Sequence, residues 1–261
     1  MFKVRADVGT DNVPVLYITD SIGGTPDGRG ITTAAVQKFL EANRKAPTVD
    51  IVISSTGGDA TTGFAIFTTL MEFPGKVTTK VLDLAASAAA IIFLAGSRRI
   101  ISDTAQVMIH ECSIEAAGGK NVIRNALDVV NMTNASMLKI ICRRTGQPEN
   151  VVKAWMQQEK WFDARSAKSL GFATEISSEP TAKAQASFDL SRFKHPPASL
   201  VTRQAMPLAT VMHQTTSKAN EAKARKRLAD ALTPAQRVAA LGKPKSMADL
   251  IRFTKGEHVS I

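Results

Sequence analysis

The stretch VDIVISSTGGDATTGFAIFTTLMEF, residues 49–73, joins a β-branched run to a helical pattern through a glycine pair. Valine and isoleucine runs bounded by turn residues predict strands, whereas apolar residues at helical spacing predict a helix. Upstream, VPVLYIT (13–19) predicts a strand, and ITTAAVQKFLEANRKA (31–46) predicts a helix after a threonine cap. Strand, helix and strand in this order form a βαβ unit.

The same alternation continues to about residue 178. KVTTKVLDL (76–84) predicts a strand, SAAAIIFLAG (87–96) a helix, and RRIISD and AQVMIHECSI two short strands. Residues 119–145 predict one long helix, and PENVVKAWMQQ with KWFDARSAKSLGFATEI predicts two more helices and a closing strand. The predicted fold class is α/β, with repeated βαβ units around a largely parallel sheet.

The C-terminal part differs in charge and composition. Fourteen of the 33 basic residues, but only five of the 23 acidic ones, follow residue 179, so nearly all of the net charge of +10 lies there. We predict a folded domain over 1–178, a linker over 179–216 and a basic, helical or disordered extension over 217–261. Within the linker, FDLSRF (188–193) predicts a docking segment. The basic extension is either a solvated appendage or a surface for an acidic partner or nucleic acid.

Composition excludes several classes of protein. No apolar run approaches the roughly 20 residues of a membrane span, and the N-terminus lacks a secretory pattern. Cys112 and Cys142 show neither metal-ligand spacing nor a disulfide framework, and the glycine pair is not followed by the Lys-Ser or Lys-Thr of a P-loop. We expect a soluble cytoplasmic protein that needs no metal and no organic cofactor.

Two core residues are candidates for nucleophile and base. Ser87 stands where a strand gives way to a helix, and free N–H groups at a helix start favour an alkoxide. His110, in QVMIHEC, is the only one of the four histidines inside the predicted core. The ordinary alternatives are a serine N-cap and a packed histidine. Cys112, two residues from His110 on the same strand face, is a remote alternative nucleophile and more simply a buried thiol.

The glycine pair offers hydrogen-bond donors. Glycine lets a backbone approach a substrate closely, so Gly58 and Ala88, each at a strand-to-helix junction, are candidate oxyanion donors. The alternative is a tight turn. Because ligands bind at the carboxyl ends of parallel strands, we expect both junctions to face one site.

Read together, ISSTGGDATTGFAIFTTL, LAASAAAIIFLAGS, AQVMIHE, RTGQPENVVKAWM and WFDARSAKSLGFATEI resemble the Clp protease proteolytic subunit family in order and spacing. The resemblance covers roughly residues 14–177. It implies a crotonase-like fold with a long handle helix. It also implies a catalytic triad of Ser87, His110 and Glu159, and an oxyanion and substrate site at Gly57, Gly58 and Ala88.

The sequence departs from the family pattern at several places. Thr56 replaces a proline, Ala88 and Ala89 replace methionine and glycine, and Glu159 stands where the family has aspartate. Asp163, just beyond the aromatic pair, is the alternative acid. The short N-terminal segment puts docking to an ATPase in doubt. The basic extension and FDLSRFK resemble the Clp-related head-maturation proteases of tailed bacteriophages.

The resemblance implies a serine endopeptidase that processes capsid or scaffold proteins, in the host cytoplasm or an assembling procapsid. It also implies a homo-oligomer of seven-fold rings, which uses the apolar face of residues 122–141. A general Clp-type degrading subunit working with an ATPase, an acyl-CoA enzyme of the crotonase type and a non-catalytic capsid scaffold are the alternatives.

Overall fold

A computed structural model describes residues 5–8, 12–24, 30–178, 190–197 and 200 of the chain. All of them belong to one unit, Met1–Gln204. The predictions for the basic extension, residues 217–261, lie outside the described residues.

The described residues form fourteen elements in an alternating order. The strands are β1 (Arg5–Val8), β2 (Pro14–Ile18), β3 (Thr48–Ser55), β4 (Lys76–Ala86), β5 (Arg98–Ser102), β6 (Gln106–Ile109), β7 (Lys160–Asp163) and β8 (Glu175–Ser177). The helices are α1 (Thr33–Ala42), α2 (Ala60–Met71), α3 (Ala88–Phe93), α4 (Lys120–Thr145), α5 (Glu149–Gln157) and α6 (Ala164–Ser169). This α/β architecture confirms the predicted fold class.

One sheet joins these strands in the order β1-β2-β3-β4-β5-β8, with β6 and β7 branching from β4. Five pairs are parallel: β2–β3, β3–β4, β4–β5, β4–β6 and β5–β8. Two pairs, β1–β2 and β6–β7, are antiparallel. The branch arises because β4 is 11 residues long. Residues 78–81 of β4 pair with β5 and residues 84–86 pair with β6.

Local sequence explains where the helices begin and end. The Thr32 side chain accepts a hydrogen bond from the Ala35 N–H at the start of α1, and Asp59 does the same for Thr62 at the start of α2. The long helix α4 ends at Gly146, which is left-handed with φ 75°. Glycine adopts this conformation without steric cost and is therefore common just past a helix end.

Three details of the sequence-based strand assignment were wrong. Strands β1 and β7, each four residues long, were not predicted. Strand β6 ends at Ile109, so His110 and Cys112 lie beyond it and share no strand face. The ladder to β4 stops at Met108 because β4 itself ends at Ala86, and Ile109 pairs with Lys160, the first residue of β7.

The long helix α4 is only partly buried against the rest of the unit. Met137 and Ile141 are its buried residues, whereas Leu127 and Met132 are 58% and 64% exposed. The alternative that this helix simply packs inside one subunit therefore holds for its C-terminal part only. Among the described residues no helix, α4 included, has both the length and the apolar character of a membrane span.

A short part of the predicted linker packs against the sheet. We call residues 190–197 the docked segment. Leu190 and Phe193 are 3% and 7% exposed, and they pack with residues of β4 and β6. The domain boundaries given above stay a prediction, but these residues are part of the packed unit.

Candidate active site

Ser87 lies between β4 and α3 in a backbone conformation that side-chain-bearing residues seldom adopt. Its φ and ψ are 56° and −125°, and its side chain makes no capping hydrogen bond. Ser87 therefore stands at the N-cap position of α3, but its hydroxyl does not cap the helix and is available for another role. Gly57 packs directly on the turn, since a Cβ there would lie 2.5 Å from the Ala86 carbonyl oxygen and 2.8 Å from the Ser87 Cβ. A positive φ in a non-glycine residue marks strain that surrounding structure must hold.

The Ser87 hydroxyl faces the His110 imidazole. The parallel ladder pairs Ala86 with Met108, and the Ser87 N–H donates to the Met108 carbonyl at 2.9 Å. One residue beyond each strand, Ser87 Oγ and His110 Nε2 lie 2.8 Å apart. That distance is within hydrogen-bond range for a nucleophile and its base.

The surroundings of His110 favour its neutral form. Burial lowers the pKa of His110 from the usual 6.5, and the positive charges of Arg192 and Lys194 lower it further. The negative charge of Glu159 acts in the opposite direction. An imidazole whose pKa is lowered is uncharged at neutral pH, which is the form that takes a proton from a serine.

Glu159 lies opposite His110 across the antiparallel β6–β7 pair. Ile109 pairs with Lys160 in this antiparallel pair. His110, which follows Ile109, therefore faces Glu159, which precedes Lys160. Glu159 has φ 51° and is only 9% exposed, which rules out the interpretation as a solvated charge. Its carboxylate accepts hydrogen bonds from the backbone N–H groups of Lys194 and His195 at 3.1 and 2.9 Å.

The link between Glu159 and His110 is electrostatic in this structure. Among the described residues, the hydrogen bonds to the Glu159 carboxylate come from Lys194, His195 and, at 3.5 Å, the Trp161 indole, but not from the imidazole. The charge nevertheless acts on the pKa of His110. Glu159 is thus brought close to the serine–histidine pair without bonding directly to it.

Asp163, the alternative acid, occupies a different place. It pairs with Gln106, at the other end of the β6–β7 ladder from His110. Its side chain caps α6 by accepting the Ser166 N–H at 2.7 Å, and this hydrogen bond lowers the pKa of Asp163. The geometry gives Asp163 a capping role at a helix start.

The two candidate oxyanion donors line the same cavity. No residue that the structure describes accepts a hydrogen bond from the Gly58 or Ala88 N–H. Gly58 has φ 152°, and a Cβ there would lie 2.2 Å from the Ile22 carbonyl oxygen. The glycine pair is therefore a tight turn as well as a close approach of backbone to the serine.

The cavity in front of Ser87 measures about 350 Å³. Besides Gly58, Ser87, Ala88 and His110, its lining includes the apolar side chains Phe64, Ile91, Ile114, Val129, Met137 and Phe193, with Asp59 and Arg192 as charged members. The lining also includes the polar side chains Thr61, Ser113 and Thr133, so the cavity combines apolar and polar groups.

Cys112 also lines this cavity, but its chemistry is unfavourable for a nucleophile. Burial, together with the negative charge of Asp59, raises the pKa of the Cys112 thiol. Its sulfur contacts the Ser113 carbonyl oxygen at 4.0 Å. Because the thiolate is the reactive form, a raised pKa reduces reactivity. In the described part of the chain no cluster of three or more His, Cys, Asp or Glu side chains is arranged to hold a metal ion.

Sequence reasoning missed the contribution of the docked segment to this site. Arg192 and Phe193 line the cavity, and the next two residues bind Glu159. The signal available was the aromatic and apolar pattern of FDLSRF inside a proline-rich stretch. That pattern predicted docking but not where the segment docks.

A serine hydrogen-bonded to a histidine at the carboxyl ends of parallel strands, beside backbone N–H groups that line the same cavity, is the arrangement of a serine peptidase on an α/β sheet. Residues 29–180, more than half of the chain, match the family model described as Clp protease. The chain belongs to the Clp protease family. Membership implies serine peptidase activity and decides against the acyl-CoA enzyme considered above.

The solved structures agree with this assignment at the level of the fold. A ClpP1 mutant from Listeria monocytogenes is similar with a TM-score of 0.55 and 21% sequence identity. The likeness covers 63% of this chain and 91% of that one. Clp proteases form homo-oligomeric rings and act on protein substrates.

Proposed function

We propose that the protein is a serine endopeptidase in which Ser87 is the nucleophile, His110 the general base and Glu159 the acid that assists His110. The observation that carries the proposal is the 2.8 Å separation of Ser87 Oγ and His110 Nε2. Additional support comes from the lowered pKa of His110, which keeps the imidazole ready to accept a proton.

The first half of the reaction forms an acyl-enzyme. Ser87 Oγ attacks the carbonyl carbon of the scissile bond while its proton passes to His110 Nε2. The tetrahedral intermediate collapses as the C–N bond breaks, and His110 returns the proton to the leaving amine. Glu159 stabilises the imidazolium through its negative charge.

The second half reverses the pattern with water. His110 takes a proton from the attacking water, the ester carbonyl becomes tetrahedral again, and the proton returns to Ser87 Oγ as the new carboxyl group leaves. The N–H groups of Gly58 and Ala88 stabilise the oxyanion in both halves. One such donor contributes roughly 10²–10³ in rate in comparable sites.

The biological role proposed is processing of capsid or scaffold proteins during phage head maturation. Its support is the resemblance of FDLSRFK and of the peptidase-then-basic-extension layout to that subgroup. A basic extension also suits an acidic partner on an assembling shell. The compartment follows from the role: host cytoplasm or procapsid interior, and Clp proteases are typically cytoplasmic.

The active form proposed is a homo-oligomeric ring. Its support is the exposed apolar surface on the N-terminal part of α4, formed by Val122, Ile123, Leu127, Val129 and Met132. An apolar surface of this kind marks an interface between proteins. A Leu127→Glu variant should shift the protein to smaller species in sedimentation velocity runs, whereas Lys139→Glu on the same helix is the matched control.

The experiment that tests the proposal is intact-mass spectrometry after incubation with a fluorophosphonate probe. The wild type should gain one adduct, and Ser87→Ala should gain none. The same pair of proteins is then incubated with candidate capsid and scaffold proteins. Cleavage by the wild type alone supports head maturation, cleavage that requires an added ATPase supports general degradation, and no adduct in the assembled wild type supports the non-catalytic scaffold.

A further inference from the structure

The docked segment packs on the two strands that carry the serine and the histidine. Leu190 and Phe193 share a buried cluster with Leu84 and Ala86 of β4 and Met108 of β6. Ser87 and His110 lie one and two residues beyond Ala86 and Met108. The segment, far along the chain, therefore covers the strand ends from which the site is built.

One side chain of the segment touches the catalytic base directly. The Phe193 ring stands edge-on to the His110 imidazole, with ring centroids 6.2 Å apart and an interplanar angle of 85°. The same ring stands edge-on to Trp161 at 5.6 Å and 89°. Edge-on aromatic contacts have preferred geometries, so a ring held on two sides restricts the imidazole beside it.

The backbone of the segment supplies what Glu159 needs. A carboxylate that is 9% exposed requires hydrogen-bond partners in place of water. Lys194 donates its N–H to one carboxylate oxygen and His195 donates its N–H to the other. A carboxylate held through both oxygens has a fixed position relative to His110.

The segment is also bonded to the glycine motif. The Arg192 guanidinium donates a hydrogen bond to the Thr56 carbonyl oxygen, immediately before Gly57 and Gly58. Four consecutive residues, 192–195, thus contact the glycine motif, the base and the acid in turn.

We propose that residues 192–195 are positioning residues of the active site: their backbone N–H groups hold Glu159 beside His110, and Phe193 orients the imidazole. The proposal rests on the proposed peptidase function and assigns to the docked segment a role in its chemistry. A segment that only covered apolar surface would require Leu190 and Phe193 to be buried. It would not require two backbone N–H groups aimed at the acid.

The sharpest test removes one N–H group and leaves the side chains of the site in place. His195→Pro deletes the donor, whereas the matched control His195→Ala keeps it. His195 is preferable to Lys194 because the Lys194 charge itself acts on the pKa of His110. We expect kcat/KM of His195→Pro to fall roughly 10- to 100-fold, as for loss of a hydrogen bond to a charged group, and that of His195→Ala to fall far less.

The pH profile separates positioning from simple loss of structure. The groups whose charges act on His110 are Glu159, Arg192 and Lys194, while Asp59 and Cys112 line the same cavity. Releasing Glu159 removes an effect that raises the pKa of His110, so the acidic limb of kcat/KM should move to lower pH in His195→Pro. Phe193→Ala exposes the imidazole and removes part of the burial effect, so its acidic limb should move to higher pH.

Opposite shifts from residues two apart cannot come from undocking of the whole segment, which would shift both variants in the same direction. Trp161 fluorescence reports docking independently, since Trp161 contacts both Phe193 and Glu159. If the docked segment of His195→Pro fails to dock, a second pair of variants repeats the test. Phe193→Leu keeps the imidazole of His110 buried, whereas Phe193→Ala exposes it.

Two results would overturn the proposal, and they differ from failure of the peptidase function. The first is that His195→Pro and His195→Ala have equal kcat/KM and equal pH profiles while the wild type reacts with fluorophosphonate. The docked segment would then only cover apolar surface. The second is shifts in the same direction in His195→Pro and Phe193→Ala, which would mean the same. A wild type that neither labels nor cleaves would reject the proposed function itself.

Discussion

The serine and the histidine of the site are held by one parallel ladder, whereas the acid depends on two later parts of the chain. Ser87 and His110 follow β4 and β6, whose parallel pairing brings the two residues together. Glu159 precedes β7 and is bonded to the docked segment. The comparison teaches that the nucleophile and base can be assembled without the acid, so the two halves of the site should respond differently to mutation.

The largest effect is expected in the half held by the parallel ladder. Ser87→Ala and His110→Ala should each lower kcat of peptide hydrolysis by roughly 10⁴-fold or more, because each removes a reacting group. The double variant should lose little more than either single variant, since the two side chains act as a unit. Peptide hydrolysis assayed on all three variants checks this, and losses that multiply in the double variant would contradict the pairing.

A smaller effect is expected where the glycine motif meets the serine. Gly58→Ala places a Cβ against the Ile22 carbonyl oxygen at a φ that disfavours side chains, so the Gly58 N–H must move. We expect kcat to fall roughly 10²–10³-fold, as for loss of one oxyanion donor. Gly119→Ala is the matched control, because a Cβ there meets nothing within 4 Å. Equal activities in the two variants would show that the Gly58 N–H is not an oxyanion donor.

The sequence predicted the first half of the site better than the second. The β-branched runs and the glycine pair are local signals. They predicted that Ser87, Gly58 and Ala88 lie at strand-to-helix junctions, and the structure places them there. The short strand β7 and the docked segment lie outside the reach of such signals. Their position depends on tertiary contacts, such as the buried Phe162 packing on Phe172 with ring centroids 4.8 Å apart.

Tertiary contacts also decide two features of the site that the sequence could not show, the end of β6 and the β6–β7 register. His110 and Cys112 stand two apart in an apolar run, which predicts a shared strand face. The strand ends at Ile109, where both of its partners end: β4 stops at Ala86, opposite Met108, and β7 begins at Lys160, opposite Ile109. The local sequence of a strand does not show where its partner strands end. The choice between Glu159 and Asp163 likewise needed the β6–β7 register.

A third prediction concerns the acid itself. Glu159→Gln removes the charge and keeps the shape, so kcat/KM should fall roughly 10- to 1,000-fold, because a nearby opposite charge commonly shifts a pKa by about one to three, and each step of one is tenfold. That charge raises the pKa of His110, and activity requires the neutral imidazole. The acidic limb of the pH profile should therefore move to lower pH in the variant.

The control for the acid is Asp163→Asn, which keeps a helix cap and should leave both kcat/KM and the pH profile close to those of the wild type. If Asp163→Asn lost activity and Glu159→Gln did not, Asp163, at the other end of β7, would be the acid of the site instead of Glu159.

The smallest effect is expected in stability rather than in activity. Asp163→Ala removes the cap of α6 and should lower the free energy of unfolding by about 1 kcal/mol at neutral pH. The Ser166 N–H lowers the pKa of Asp163, so its stabilisation is present above the ordinary pKa of 3.8 and is lost as the pH falls through the lowered value. Urea unfolding of the variant and the wild type should therefore differ at pH 7 and converge in acid. A constant difference at every pH would mean that the carboxylate charge plays no part in the cap, while lost activity at full stability would give Asp163 a place in the site.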